Sequence, residues 1–241
     1  MRFPAAARIR HVLDVGTVGS TFDLVDPGAD DLTTWATLDQ RGGRGRLGRA
    51  WVSPAGKCLA ATIHVRADGI DDDALAWLPL AAGLALADAL DPLVADRAGI
   101  KWPNDILIEG RKVAGILCER TATGVAVGIG VNLTLEPEEL PTEQATSLSL
   151  EGAEGTAEAL ADAVLAHVLD ALHLLLPSLG SDRLRAAIEA ELTTIGREVR
   201  VELPTERLHG TALGLGAGGE LRVETERGMV DVRAGDVVHV R

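Results

Sequence analysis

The hydrophobic period of this chain changes at Gly196, and that change limits the folds open to it. Before it, apolar residues recur at three- and four-residue steps through 157–176 and 182–192, the pattern of scaffold helices with one buried face. After it come five short alternating runs, 199–203, 210–215, 221–224, 229–232 and 237–240, separated by glycine-rich turns such as 214–219. Short strands at that spacing predict a small barrel of about 45 residues. The expected organisation is a larger unit over 1–192 and a barrel over 193–241.

Upstream of the helices the texture mixes short strands with helical stretches. Strands are expected at 11–15, 33–38 and 59–65, with a short helical segment over 20–25 that Ser20 would cap. A helix is expected over 72–90, opened by Asp71–Asp73 and kinked or started late by Pro79. Further strands follow at 100–102, 105–108, 113–119 and 125–133, the middle pair forming a hairpin about Glu109-Gly110-Arg111. The fold class is therefore α/β (α+β), a mixed sheet with helices followed by a β unit.

With 241 residues and 46% apolar content, the chain can bury a substantial core, which excludes disorder and collagen-like repeats. Cys58 and Cys118 have neither a CxxC neighbour nor a histidine at ligand spacing, so they read as reduced thiols. Residues 1–16 carry arginines but no apolar stretch of export-signal length, and the expected compartment is the cytoplasm. The uncharged run 74–87 contains Pro79 and Gly83 and falls short of the ~20 residues that cross a bilayer, so it reads as a buried helix. A net charge of −13 argues against general nucleic-acid affinity.

Local charge points elsewhere. From Gln40 to Arg66 there are six basic side chains, Arg41, Arg44, Arg46, Arg49, Lys57 and Arg66, and no carboxylate. Within it, Gly43, Gly45 and Gly48 satisfy G-x-G-x-x-G, but Pro54 and Gly56 stand where a dinucleotide-binding helix would run. No Gly-Lys-Ser/Thr follows, so this is no phosphate-binding P-loop either. An exposed basic turn without function is the simpler reading. The strict interleaving of glycine and arginine favours a loop that folds round an anion, with guanidinium forks on its oxygens.

The three lysines, Lys57, Lys101 and Lys112, stand against a strong arginine bias. Two of them open the segments Lys101-Trp-Pro-Asn-Asp105 and Lys112-Val-Ala-Gly-Ile-Leu117, which suggests point charges aimed at single oxygens. Pro103 pushes Trp102 into an extended conformation, and Asp105 serves either to stabilise a turn or in catalysis. In Gly128-Ile-Gly-Val-Asn132 the glycines admit another group close to the strand, and Asn132 offers a donor and an acceptor to a base edge. The six histidines show no ligand spacing, and neither a nucleophile elbow nor paired carboxylates are present.

In order and spacing, Gly-Ser-Thr at 19–21, Gln40 with the 43–49 loop, the Lys101 and Lys112 segments and 128–132 resemble the biotin protein ligases. The resemblance covers about residues 10–190, and the terminal barrel is similar to the SH3-like domain these enzymes carry. It implies a catalytic domain that uses ATP and Mg²⁺ to join biotin, through biotinyl-5′-AMP, to a lysine of the biotin carboxyl carrier protein. It also implies that Lys112, Lys101 and Arg46 are catalytic, and that Ser20, Thr21, Gln40, Arg44, Gly45, Arg46, Lys112 and Gly115 bind biotin. Arg44, Arg49, Trp51, Asn104 and Asn132 would bind the nucleotide, and Asp105 is the one candidate metal ligand. Neither a nucleic acid nor a membrane is an expected partner. The Gly/Arg loop would be the lid that shelters the adenylate, disordered until ligand is present.

Two departures matter. Phe22 stands where the family usually has Asn, so a polar contact is lost there. Only 19 residues precede Ser20, too few for the winged helix-turn-helix of the bifunctional relatives, and repressor activity is not expected. The competing readings are a lipoate or octanoate ligase, whose glycine-rich signature is not found, and a non-catalytic binding or regulatory module.

Overall fold

The computed structural model describes residues 2–95, 97–203, 206–233 and 235–240. Seven strands form one sheet in the spatial order Val12–Asp14, Thr34–Thr37, Cys58–Arg66, Gly124–Asn132, Arg111–Arg120, Asp105–Ile108 and Ala98–Lys101. The first pair is parallel and all other neighbours are antiparallel. The central Cys58–Arg66 and Gly124–Asn132 strands are buried along nearly their whole length, which suits their β-branched and small residues.

Helices cover one face of this sheet. The expected helix over 72–90 is divided into Asp72–Leu75 and Leu78–Leu90. Asp71 caps the first, accepting from the Ala74 N–H at 2.7 Å. Pro79 lies in the first turn of the second, where its missing N–H has no partner to lose. Ile100 and Ile116 reach across to Gly83 of that helix. The helix Ala157–Leu175, capped by Thr156, buries Leu160, Val164, Leu165, Val168, Leu169 and Leu172 in the same core. By length and composition 157–178 is a better membrane candidate than the 74–87 run, yet its apolar stripe is spent on the core.

The hairpin Asp105–Ile108/Arg111–Arg120 forms as expected, with Glu109 (φ 50°) and Gly110 (φ 82°) at its turn. A bulge follows, since Lys112 pairs with Leu107 while Ala114 pairs with Ile106. Strict alternation would put Lys112 on the helix-covered face with Ala114. The extra residue, Val113, turns Lys112 to the open face that also carries Gly115 and Asp105.

The five C-terminal strands fall close to the predicted runs, at Glu198–Glu202, Arg207–Leu215, Leu221–Thr225, Gly228–Val232 and Asp236–His239. They form one antiparallel sheet with Gly228–Val232 and Asp236–His239 at its edges. Among the described residues no pairing joins those edges, so the expected barrel is an open sheet.

Two tryptophans fasten this sheet to the larger unit. Trp77 Nε1 donates to the Ala217 carbonyl and Trp102 Nε1 to the Gly219 carbonyl, both at 3.0 Å. Thr194 Oγ1 accepts from the Trp102 backbone N–H at 3.1 Å and lies 3.2 Å from His239 Nε2. With its oxygen receiving the Trp102 N–H, the Thr194 hydroxyl hydrogen is free to go to His239 Nε2, which requires a neutral ring.

Burial, with Lys101 and Arg197 nearby, pushes the His239 pKa down to about 4. The unfolded chain, with histidine near 6.5, therefore takes the proton first, and this contribution to stability is lost as pH falls from about 6.5 towards about 4. The difference in thermal midpoint between wild type and His239→Gln should shrink over that interval. A difference independent of pH would contradict the arrangement.

Candidate active site

The open face of the main sheet lacks side chains where two aromatic rings lie on it. Gly115 and Gly130 are directly paired, and the Trp51 indole spans both. A Cβ on Gly130 would stand 2.5 Å from Trp51 Cε2, and one on Gly115 3.3 Å from Cζ3. Two residues back along the strand, Phe22 lies on Gly128, where a Cβ would come within 2.3 Å of the ring. Period-two alternation puts Gly128 and Gly130 on the same face, so the glycines make a floor for flat rings.

The Gly/Arg segment is a wall of this site, with a defined path. Gly43–Arg44 pairs with Ala50–Trp51, and the Gly45 N–H donates to the Arg49 carbonyl at 2.7 Å. Gly43 is required by close approach, since a Cβ there would meet the Trp51 carbonyl oxygen at 2.5 Å and Gln40 Nε2 at 2.9 Å. Behind the hairpin, Gln40 Oε1 accepts from the Thr21 N–H at 2.9 Å, and Thr21 Oγ1 lies 2.7 Å from Thr62 Oγ1. Ser20 precedes the Thr21–Leu24 turn but does not cap it, contrary to the sequence expectation. Ser20 Oγ and Trp51 Nε1 are both buried and make no hydrogen bond. Of the two, Trp51 lines the cavity, where a buried polar atom left over suits a polar group of a ligand.

Two cations meet consecutive residues, Asn104 at the end of a turn and Asp105 at the start of the strand that follows. Arg46 Nη1 donates to Asn104 Oδ1 at 3.0 Å, while Asn104 Nδ2 donates to the Ile116 carbonyl at 2.9 Å. Lys112 Nζ donates to Asp105 Oδ1 at 2.5 Å and lies 5.7 Å from the centroid of the Trp51 ring. The Lys112 and Asp105 side chains keep 35% and 21% of their exposure, and a pair so open to water is worth only about 0–1 kcal/mol. Lys112 can therefore exchange Asp105 for a ligand anion at small cost. On the far wall, the Arg44 guanidinium stands 5.3 Å over the Phe22 ring and 3.0 Å from Asp23 Oδ1.

Most of the residues singled out in the sequence converge. Thr21, Gln40, Arg44, Gly45, Arg46, Arg49, Trp51, Asn104, Asp105, Lys112 and Gly115 line a single cavity. Ser20, Lys101 and Asn132 do not line it. Lys101 pairs with Asp105 one strand further out, on the side of His239. The Asn132 amide is engaged in the frame, donating from Nδ2 to the Thr146 carbonyl at 2.9 Å and accepting from Cys58 Sγ at 3.8 Å. That thiol is pushed up to about 11, by burial above all, and stays protonated. Sequence reasoning overlooked Phe22 as a wall of the cavity and missed Asp23 and Glu119 beside Arg44. Two glycines spaced by two on a strand, in a chain with two phenylalanines, were the available signal. Among the described residues no group of three or more His, Cys, Asp or Glu could hold a metal.

Residues 27–135 match the Biotin/lipoate A/B protein ligase family, and residues 194–240 match the biotin protein ligase C-terminal domain. The chain is 38% identical over 206 residues to a biotin--[acetyl-CoA-carboxylase] ligase of Mycobacterium tuberculosis, covering 84% of this chain and 77% of that one. It is 36% identical to the enzyme of the same name from Paracoccus denitrificans, covering 88% and 92%. The solved structure of the Aquifex aeolicus biotin protein ligase with biotin and ATP superposes with a TM-score of 0.80 at 27% identity, covering 96% of this chain and 99% of that one.

If glycine at 130 is there to seat Trp51, Gly130→Ala should lift the indole off the strand. The emission assigned to Trp51, taken as the difference from Trp51→Phe, should shift to the red as the ring meets water. Unchanged emission from the alanine variant would refute the floor.

Proposed function

The chain belongs to the biotin protein ligase family, and from that premise we propose how its own residues join biotin to a lysine of a carboxyl carrier protein. The activity is ATP-dependent biotin--[acetyl-CoA-carboxylase] ligation through biotinyl-5′-AMP. A biotin carboxylate oxygen attacks the α-phosphorus of ATP, forming the mixed anhydride as pyrophosphate leaves with its electron pair. The carrier lysine, as a neutral amine, then attacks the acyl carbon. An amide forms, AMP leaves and the amine gives up a proton.

The first step brings two anions together, and the observation that carries the assignment is the pair of cations on Asn104 and Asp105 beside the glycine floor. Lys112 leaves Asp105 for the biotin carboxylate and the α-phosphate, where charge accumulates in the transition state. Arg46, steered by Asn104, closes on the same oxygens with a planar fork. Thr21 and Gln40 take the ureido end of biotin, with Ser20 and its uncommitted hydroxyl joining them from outside the cavity lining, and Gly115 leaves room for the Trp51 indole that lies on it. Trp51 offers an indole face and a free N–H to the adenine, and Arg44 and Arg49 hold phosphate from the hairpin. Lys101 contributes long-range positive charge, and Asn132, next after Gly130 on the same face of the strand, fixes the end of the floor through Thr146.

The donor set fits Mg²⁺ that arrives on the triphosphate. One carboxylate, Asp105, faces the cavity, and Mg²⁺ at nucleotide sites takes one or two carboxylates together with phosphate oxygens and water. When bound it would neutralise phosphate charge, with Asp105, released by Lys112, as its protein ligand. The free thiols Cys58 and Cys118 suit work in the cytoplasm. Names of the relatives favour biotin over lipoate as the acid.

The test is incubation with biotin, MgATP and a biotin-acceptor domain. Lys112→Ala should lower adenylate formation about 10²- to 10³-fold, and Arg46→Gly should form biotinyl-AMP but release it to solution. Biotin, not lipoate, should drive ATP–pyrophosphate exchange, and the reverse preference would overturn the substrate assignment. Biotin with ATP should also protect 41–50 from protease, and an unchanged footprint would remove the hairpin from its role as lid.

A further inference from the structure

We propose that Phe22 and Asp23 form a seat for Arg44, which latches the Gly/Arg hairpin to the mouth of the cavity and makes Phe22 a positioning residue for the lid. The proposal rests on the reading of that hairpin as the lid. Three segments distant in sequence meet at Arg44. Its guanidinium lies 5.3 Å from the Phe22 ring centroid, its Nη2 3.0 Å from Asp23 Oδ1 and its Nε 3.9 Å from Glu119 Oε1.

The ring is a fixed platform because the strand beneath it has no side chain. Its Cζ and Cε2 would stand 2.3 and 2.4 Å from a Cβ at Gly128, so the ring rests on the backbone there. Held there, the ring offers an electron-rich face to the Arg44 guanidinium that lies over it. Neither the hydroxyl of Thr21 before it nor the isobutyl group of Leu24 after it could supply that face. Asp23 then fixes the guanidinium from the side. Arg44 and Asp23 retain 43% and 59% side-chain exposure, so each contact is weak alone and the latch is meant to open. Because Phe22 also lines the cavity, one side chain touches both the ligand space and the anchor of the lid. A ligand that presses on the ring acts on the lid directly.

Two rates test this on the full-length chain. The first is trypsin cleavage after Arg44, Arg46 or Arg49 without ligand, located by mass spectrometry. The second is escape of biotinyl-AMP when no acceptor is supplied. Phe22→Leu should raise both by about 2- to 5-fold, Phe22→Tyr should match wild type, and Asp23→Asn should fall between. A general loss of packing would lower the thermal midpoint of Phe22→Leu and leave Asp23→Asn at the wild-type rates. If Phe22→Leu does melt early, the exposed Asp23→Asn carries the comparison alone. Wild-type cleavage in both Phe22→Leu and Asp23→Asn would overturn the seat. A wild-type chain that makes no biotinyl-AMP would instead overturn the functional reading and leave the cleavage comparison standing.

Discussion

The turn over Trp102–Asn104 and the strand residue Asp105 that follows it hold two cations of the site, Arg46 and Lys112. Asn104 offers Arg46 an uncharged oxygen and Asp105 offers Lys112 a charged one, from adjacent positions. The position of each cation thus depends on the turn being rigid, and its rigidity comes both from Ile116 in the cavity lining and from Thr194 and Gly219 outside it. The Trp102 backbone is bonded to Thr194 and its indole to Gly219, while Asn104 is bonded through both backbone and side chain to Ile116. The C-terminal sheet contributes no residue to the cavity lining, yet it braces the element that arranges the charges. Preorganised charge of this kind needs no rearrangement at the moment of reaction.

The second constraint is the bare floor. Glycines at 115, 128 and 130 allow two rings to lie on backbone, which brings flat groups closer than any side chain would permit. Above that floor the field is positive in a chain of net charge −13, because 40–66 holds no carboxylate. Acids that reach cationic side chains of the cavity, among them Asp23 and Glu119 on Arg44 and Asp105 on Lys112, come from other segments and pair at partly exposed positions. Such partners hold the cations in place without binding them tightly enough to resist a phosphate.

How much of this was legible in the sequence follows from range. Local signals worked where one segment decides its own shape. Glu109-Gly110 marked the hairpin, Pro79 marked the helix start, and the change of period at Gly196 marked the second sheet. The cavity-lining residues were legible through spaced motifs, since the Gly/Arg loop, Asn104 and Lys112 carry charge or special backbone that few structural roles require. Long-range events were not legible. Nothing local shows that Val113 bulges and so turns Lys112 to the open face, or that the Asn132 amide is taken by Thr146 and Cys58. Phe22 looked like the loss of a polar contact, and only the placement of Gly128 beneath it shows a wall. Closure of a barrel depends on pairing between the two edge strands, here Gly228–Val232 and Asp236–His239, which composition does not encode, and among the described residues those edges do not pair.

The most direct measurement is a crystal structure with biotin and a non-hydrolysable ATP analogue, or with a stable biotinyl-AMP mimic. The account predicts that Lys112 Nζ has left Asp105 and lies at roughly 3 Å from a carboxyl or phosphate oxygen, with Arg46 closing on the same group from the hairpin. A ligand bound elsewhere, or a Lys112 still on Asp105 with the hairpin turned to solvent, would contradict it.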